Sequence, residues 1–216
     1  MKKMLLIAVA MIFVAGIASA ASIVDSKHDM RTHITNETNT EVCVYCHTPH
    51  QQGTSQYPLW NHTLSAAGSY GAYTSPTLNG TISPVPNSND GSVTSLCMSC
   101  HDGTVAVNSL WKQPGDGNVG SSPVTGGVLL ANLAISSSAS GYIGNDLQND
   151  HPVNFSYNAA ITGGDNDLRA APTGSIVLFG GSVQCGSCHN VHDPAFPPFL
   201  RQTNGGSAVC LACHDK

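Results

Sequence analysis

The chain has 216 residues, of which 10% are charged, with a formal net charge of −5 and eight cysteines. That acidic, weakly charged balance lacks the basic surface that nucleic-acid binding needs, so nucleic acid is excluded as the expected partner. Eight cysteines in one chain of this size call for a single chemical explanation.

Residues 1–20 open on Lys2 and Lys3, run through apolar residues from Met4 to Ile17 and end in Ala18, Ser19 and Ala20. These are the charged, apolar and small-residue regions of a secretory signal peptide, with cleavage expected after Ala20. The apolar run is short for a membrane span, so no transmembrane segment is expected to be retained. Residue 21 is Ala rather than Cys, which gives no lipidation signal. Loss of Lys2 and Lys3 takes the formal charge to −7.

All eight cysteines fall in Cys-x-x-Cys-His motifs: Cys43, Cys46 and His47; Cys97, Cys100 and His101; Cys185, Cys188 and His189; Cys210, Cys213 and His214. Two thiols three residues apart can each form a thioether to one vinyl group of a haem, and the histidine that follows is held against the iron as its proximal ligand. Zinc ribbons and thioredoxin-like centres also use Cys-x-x-Cys, but neither demands the histidine. A disulfide framework leaves the spacings free. Four covalently attached haem c groups are therefore expected. With roughly 50 residues for each motif, the porphyrins must themselves form much of the core. The expected fold class is a multihaem cytochrome c, mostly irregular chain with short helices at the motifs and little regular sheet.

The spacings read as two related dihaem halves, roughly 21–110 and 145–216, joined by a polar connecting segment within one tetrahaem domain at 21–216. Each half has an upstream histidine, then CxxCHxxH, then CxxCH: His28 or His33 before residues 43–50, and His151 before residues 185–192. Six histidines lie outside the four proximal positions: His28, His33, His50, His62, His151 and His192. The mature chain keeps only Met30 and Met98, and Met98 sits inside a motif, so His/His ligation with comparatively low potentials is expected. His50 and His192 each lie three residues beyond a proximal histidine, on one side of a helical or 3₁₀ turn, where two rings can serve two neighbouring irons. The repeat adds His151 to the distal set. His33 and His62 remain as alternatives, otherwise solvent-facing or bonded to propionates. Trp60, Trp111 and the tyrosines, Tyr57 among them, are expected to pack on porphyrin faces or in the core, with no redox role.

Seven segments together resemble a known family: Lys-His-Asp-Met at 27–30, residues 43–50, Pro-Leu-Trp-Asn at 58–61, Leu-Cys-Met-Ser-Cys-His-Asp-Gly at 96–103, Asp-His-Pro-Val at 150–153, residues 185–192, and Phe-Leu-Arg at 199–201. The chain resembles the secreted multihaem c-type cytochromes with doubled CxxCH motifs, and most of all the outer-surface tetrahaem cytochromes of OmcE type that polymerise into conducting filaments. The resemblance implies His28, His50, His151 and His192 as distal ligands, an extracellular rather than periplasmic location, and a homopolymer in which one histidine crosses the subunit interface, with His28 on such an arm. It implies other redox proteins or extracellular acceptors as partners. A reductase needs an iron with an open position, commonly from an altered motif, and no motif here is altered. The expected function is thus electron transfer without catalysis, in a filament subunit or a soluble periplasmic shuttle.

Overall fold

The computed structural model describes residues 22–50, 59–67, 69–83 and 92–215. The expected signal peptide at 1–20, Tyr57 and Pro58 lie outside these residues. Among those described, no helix is long and apolar enough to cross a membrane.

Regular structure is sparse, as the Gly, Ser and Asn content implies. Single 3₁₀ turns occur at Met30–Thr32, Val42–Tyr45 and Gly205–Ser207. The helices are α1 (Val93–His101), α2 (Tyr157–Thr162), α3 (Cys185–Cys188) and α4 (Ala208–Leu211). Two ribbons of two residues per strand complete the set: β1 (Ile34–Thr35) antiparallel to β2 (Ser122–Pro123), and β3 (Phe155–Ser156) antiparallel to β4 (Ser182–Val183). The described residues are thus mostly irregular, with short helices and little regular sheet, as expected from the composition.

Two apolar clusters are buried. One joins Ile34, Val44, Tyr45, Val107, Leu129 and Leu133, with Cys46 and Cys100 packed against it. The other joins Ala67, Tyr70, Met98 and Leu147. Leu129 and Leu133 belong to the polar connecting segment, which therefore lies on the first half rather than hanging free. Thr38 N–H to Asn118 O at 3.1 Å and Val124 N–H to His33 O at 3.0 Å hold it there.

Helices α1 and α3 cap one another. Ser92 Oγ accepts from Ser95 N–H at 3.2 Å, the usual N-cap bond, and Gln184, the N-cap of α3, accepts from Thr94 N–H at 3.2 Å. In return Thr94 Oγ1 accepts from Cys185 N–H at 3.3 Å. Orphan donors at the start of each helix are thus satisfied by the other, which joins the second and third motifs.

Asn61, fully buried, performs the equivalent task for the first motif. Its Nδ2 donates to Val44 O at 2.7 Å and Lys112 O at 2.8 Å, while its Oδ1 accepts from Lys112 N–H at 2.8 Å. Asn61→Ala removes three hydrogen bonds to the backbone of Val44 and Lys112, the Val44 carbonyl being buried, and is expected to destabilise the intact protein by about 1–3 kcal/mol. Guanidinium unfolding midpoints of the two proteins check this, and equal midpoints contradict it.

Candidate functional site

Each CxxCH motif occupies one helical turn. The backbone N–H of His47 reaches Cys43 O at 2.8 Å, that of His189 reaches Cys185 O at 3.1 Å, and that of His214 reaches Cys210 O at 2.9 Å. The second motif is the last part of α1. After the turn the chain straightens: His47, His189 and His214 form isolated antiparallel bridges with Trp60, Leu200 and Leu168.

None of the eight cysteines is in a disulfide. Burial pushes the Cys46 and Cys100 thiols up to about 12. The hydrogen bond it shares with Cys185, together with burial, raises the Cys97 thiol as well. Neighbouring motifs meet through their sulfurs in chain order. Cys97 and Cys185 share a hydrogen bond, and the thiols of Cys46 and Cys100 and of Cys188 and Cys213 influence one another electrostatically.

Three motif histidines face a histidine from outside the motifs. Ring centroids are 6.1 Å apart for His47 and His192, 6.0 Å for His101 and His28, and 6.3 Å for His214 and His151. Two opposed metal–nitrogen bonds of about 2 Å, with each ring centre roughly 1 Å beyond its nitrogen, separate centroids by about 6 Å. The pairs therefore match the spacing of two axial imidazoles on one iron. Among the described residues no three His, Cys, Asp or Glu side chains converge on a cation site. Each of the three pairs could supply two protein ligands, the number a haem iron accepts beyond its porphyrin.

Ring orientation follows from hydrogen bonds to carbonyls, which only accept. His101 Nδ1–H donates to Gly141 O at 2.5 Å, His189 Nδ1–H to Pro198 O at 2.9 Å, and His151 Nδ1–H to Pro152 O at 2.9 Å. Each bond fixes the tautomer whose Nε2 carries the free lone pair, the arrangement typical of metal-ligating histidines. His28 Nδ1 is buried without a hydrogen-bond partner. Burial, and then the nearby His101, His189, His33 and His192, lower the His28 pKa to about 4, so its ring is neutral at neutral pH.

His28 thus faces His101 of its own chain. His189 and His50 face no other ring among the described residues; His50 is exposed, and residues 51–58 lie outside the description. His33 Nε2 donates to Lys27 O at 3.2 Å. His62, 1% exposed, has Nδ1 2.7 Å from Thr63 O and Nε2 2.9 Å from Ala106 O, so neither nitrogen is turned to a metal. Trp60 lies edge-on to both His47 and His62. The carbonyl anchors at Gly141 and Pro198 have no signature in the sequence, because any residue supplies a carbonyl.

Residues 179–216, which hold the third and fourth motifs, match the family model of the doubled CXXCH motif. No curated protein matches the chain. The match supports a multihaem c-type cytochrome, with covalently bound haem c, iron and electron transfer.

Replacing His62 with Leu is expected to leave the axial-ligand spectrum of every iron unchanged, while costing about 1–3 kcal/mol for the part-buried carbonyl that loses its donor. A new high-spin component in the visible spectrum would make His62 a ligand and contradict this.

Proposed function

We propose that the chain carries four haem c groups, one on each CxxCH motif, and transfers electrons without catalysing a reaction at iron. The observation that carries this reading is the set of three facing imidazole pairs, each joining a motif histidine to one outside. The axial pairs are His47 with His192, His101 with His28 and His214 with His151. His189 and His50 remain for the fourth, which makes the two CxxCHxxH turns exchange ligands reciprocally.

Bound haem iron supplies one-electron chemistry. The residues do the rest. At three motifs the paired imidazoles would hold the iron between two histidines, which argues against a substrate site there and against a reductase. Carbonyl anchors at His101, His151 and His189 hold the rings at fixed tilt and keep Nε2 directed outward. Ligation by two histidines rather than His/Met favours comparatively low potentials. The Cys97–Cys185 hydrogen bond and the mutual capping of α1 and α3 support neighbouring haems on the second and third motifs.

Within this reading we place the protein outside the cell, as a subunit of a cytochrome filament that passes electrons to other redox proteins or external acceptors. The resemblance implies this assembly, and the unpaired rings of His189 and His50 provide a place for a ligand to cross between subunits. The alternative is a soluble periplasmic shuttle in which His50 reaches His189 in the same chain.

Replacing His192 with Met is expected to raise one haem potential while all four haems stay attached, as read by redox titration and haem quantitation. Unchanged potentials and spectra would remove His192 from the ligand set. Electron microscopy of material sheared from the native cells, identified by mass spectrometry, tests the assembly. Ordered filaments with continuous haem density are expected, and discrete particles with four His/His haems would reject the filament.

A further inference from the structure

The second motif is the one followed by a buried carboxylate. Asp102, directly after His101, is 3% exposed. Four donors converge on it: Ser65 Oγ–H, Tyr70 O–H at 2.7 Å, Thr104 N–H at 2.9 Å and Thr104 Oγ1–H at 2.8 Å. Gly103, at φ +72°, makes the left-handed turn that brings Thr104 back onto it.

No cation neutralises this group. Among the described residues the ion pairs are Arg31 with Asp29 and Arg169 with Asp215, and Asp102 belongs to neither. His62 is the nearest candidate, but burial lowers its pKa and leaves it neutral at neutral pH. Asp102 also caps the C-terminal end of α1, the negative end of the helix dipole. Burial and dipole both oppose a carboxylate there, and the four donors offset them.

The charge reaches the motif. Asp102 follows His101 directly, and its N–H donates to Met98 O inside the motif at 3.2 Å. The other motifs have no counterpart. Thr48 and Asn190 follow the first and third and are uncharged, while Asp215 follows the fourth, is exposed and pairs with Arg169 at 3.1 Å.

We propose that Asp102 is a tuning residue that gives the iron held by Cys97, Cys100 and His101 the lowest potential of the four. This inference rests on the four-haem reading above. A fixed negative charge in a poorly screened interior favours the ferric over the ferrous state of the nearest iron. The second site then holds its electron least tightly.

The test is a spectroelectrochemical titration of the intact holoprotein and its variants, with haem counted on each sample. His28→Met identifies the second-site wave, because His/Met ligation raises it. Asp102→Asn should raise that same wave and leave the other three in place, and Asp215→Asn should move none. Tyr70→Phe strips a donor but keeps the charge, and should lower the wave. A wave unmoved by Asp102→Asn, or moved upward by both Asp102→Asn and Tyr70→Phe as a merely structural role requires, overturns the proposal. If Asp102→Asn fails to retain its haems, Tyr70→Phe carries the test, and an unchanged or raised wave overturns it. Fewer than four haems on the unaltered protein would instead refute the reading on which the proposal rests.

Discussion

Two imidazoles held facing one another near 6 Å have no reason to stay there unless both are fixed from behind, because at that distance the rings gain little from each other. Here the fixing comes from the backbone. One side of each pair is a turn closed by a hydrogen bond within its motif, and in two of the pairs one ring, His101 or His151, is anchored again through Nδ1 to a carbonyl. The partner ring arrives from far away in sequence: His192 against His47, His28 against His101, His151 against His214. The fold is the set of connections needed to deliver those rings.

This explains why so little regular structure suffices. A ribbon of two residues per strand, or a helix of one turn, contributes little alone. Their value is in tying separate motifs together, as α1 and α3 do through Thr94 and Gln184, and as Asn61 does between the first motif and Lys112. The buried clusters are correspondingly small, and they include the motif residues Val44, Tyr45 and Met98. Stability and function therefore converge on the same turns. A change that loosens a motif is expected to disturb both.

The chemistry was legible in the sequence to the extent that it is local. Four CxxCH motifs specify thioether attachment and a proximal histidine by spacing alone, and the sparse regular structure followed from composition. The +3 spacing of His50 and His192 suggested rings that serve two neighbouring irons, and the ring of His192 lies 6.1 Å from that of His47. What sequence did not contain is which distant ring meets which. That depends on tertiary connections such as the mutual capping of α1 and α3, made by an ordinary Thr and Gln. His62 illustrates the limit: only its two carbonyl neighbours, supplied by Thr63 and Ala106, separate it from the ligand candidates. Asp102 was visible as one of the residues of the His-Asp-Gly segment, but the donors that make it distinctive come from Ser65, Tyr70 and Thr104.

The central claim is that every motif histidine shares its iron with a second histidine. Electron paramagnetic resonance and near-infrared magnetic circular dichroism of the oxidised intact protein, with iron and haem counted on the same sample, test it most directly. The account requires four irons per chain, all low-spin with two imidazole ligands, one for each motif. A high-spin iron, or one with methionine or water in an axial position, would contradict it.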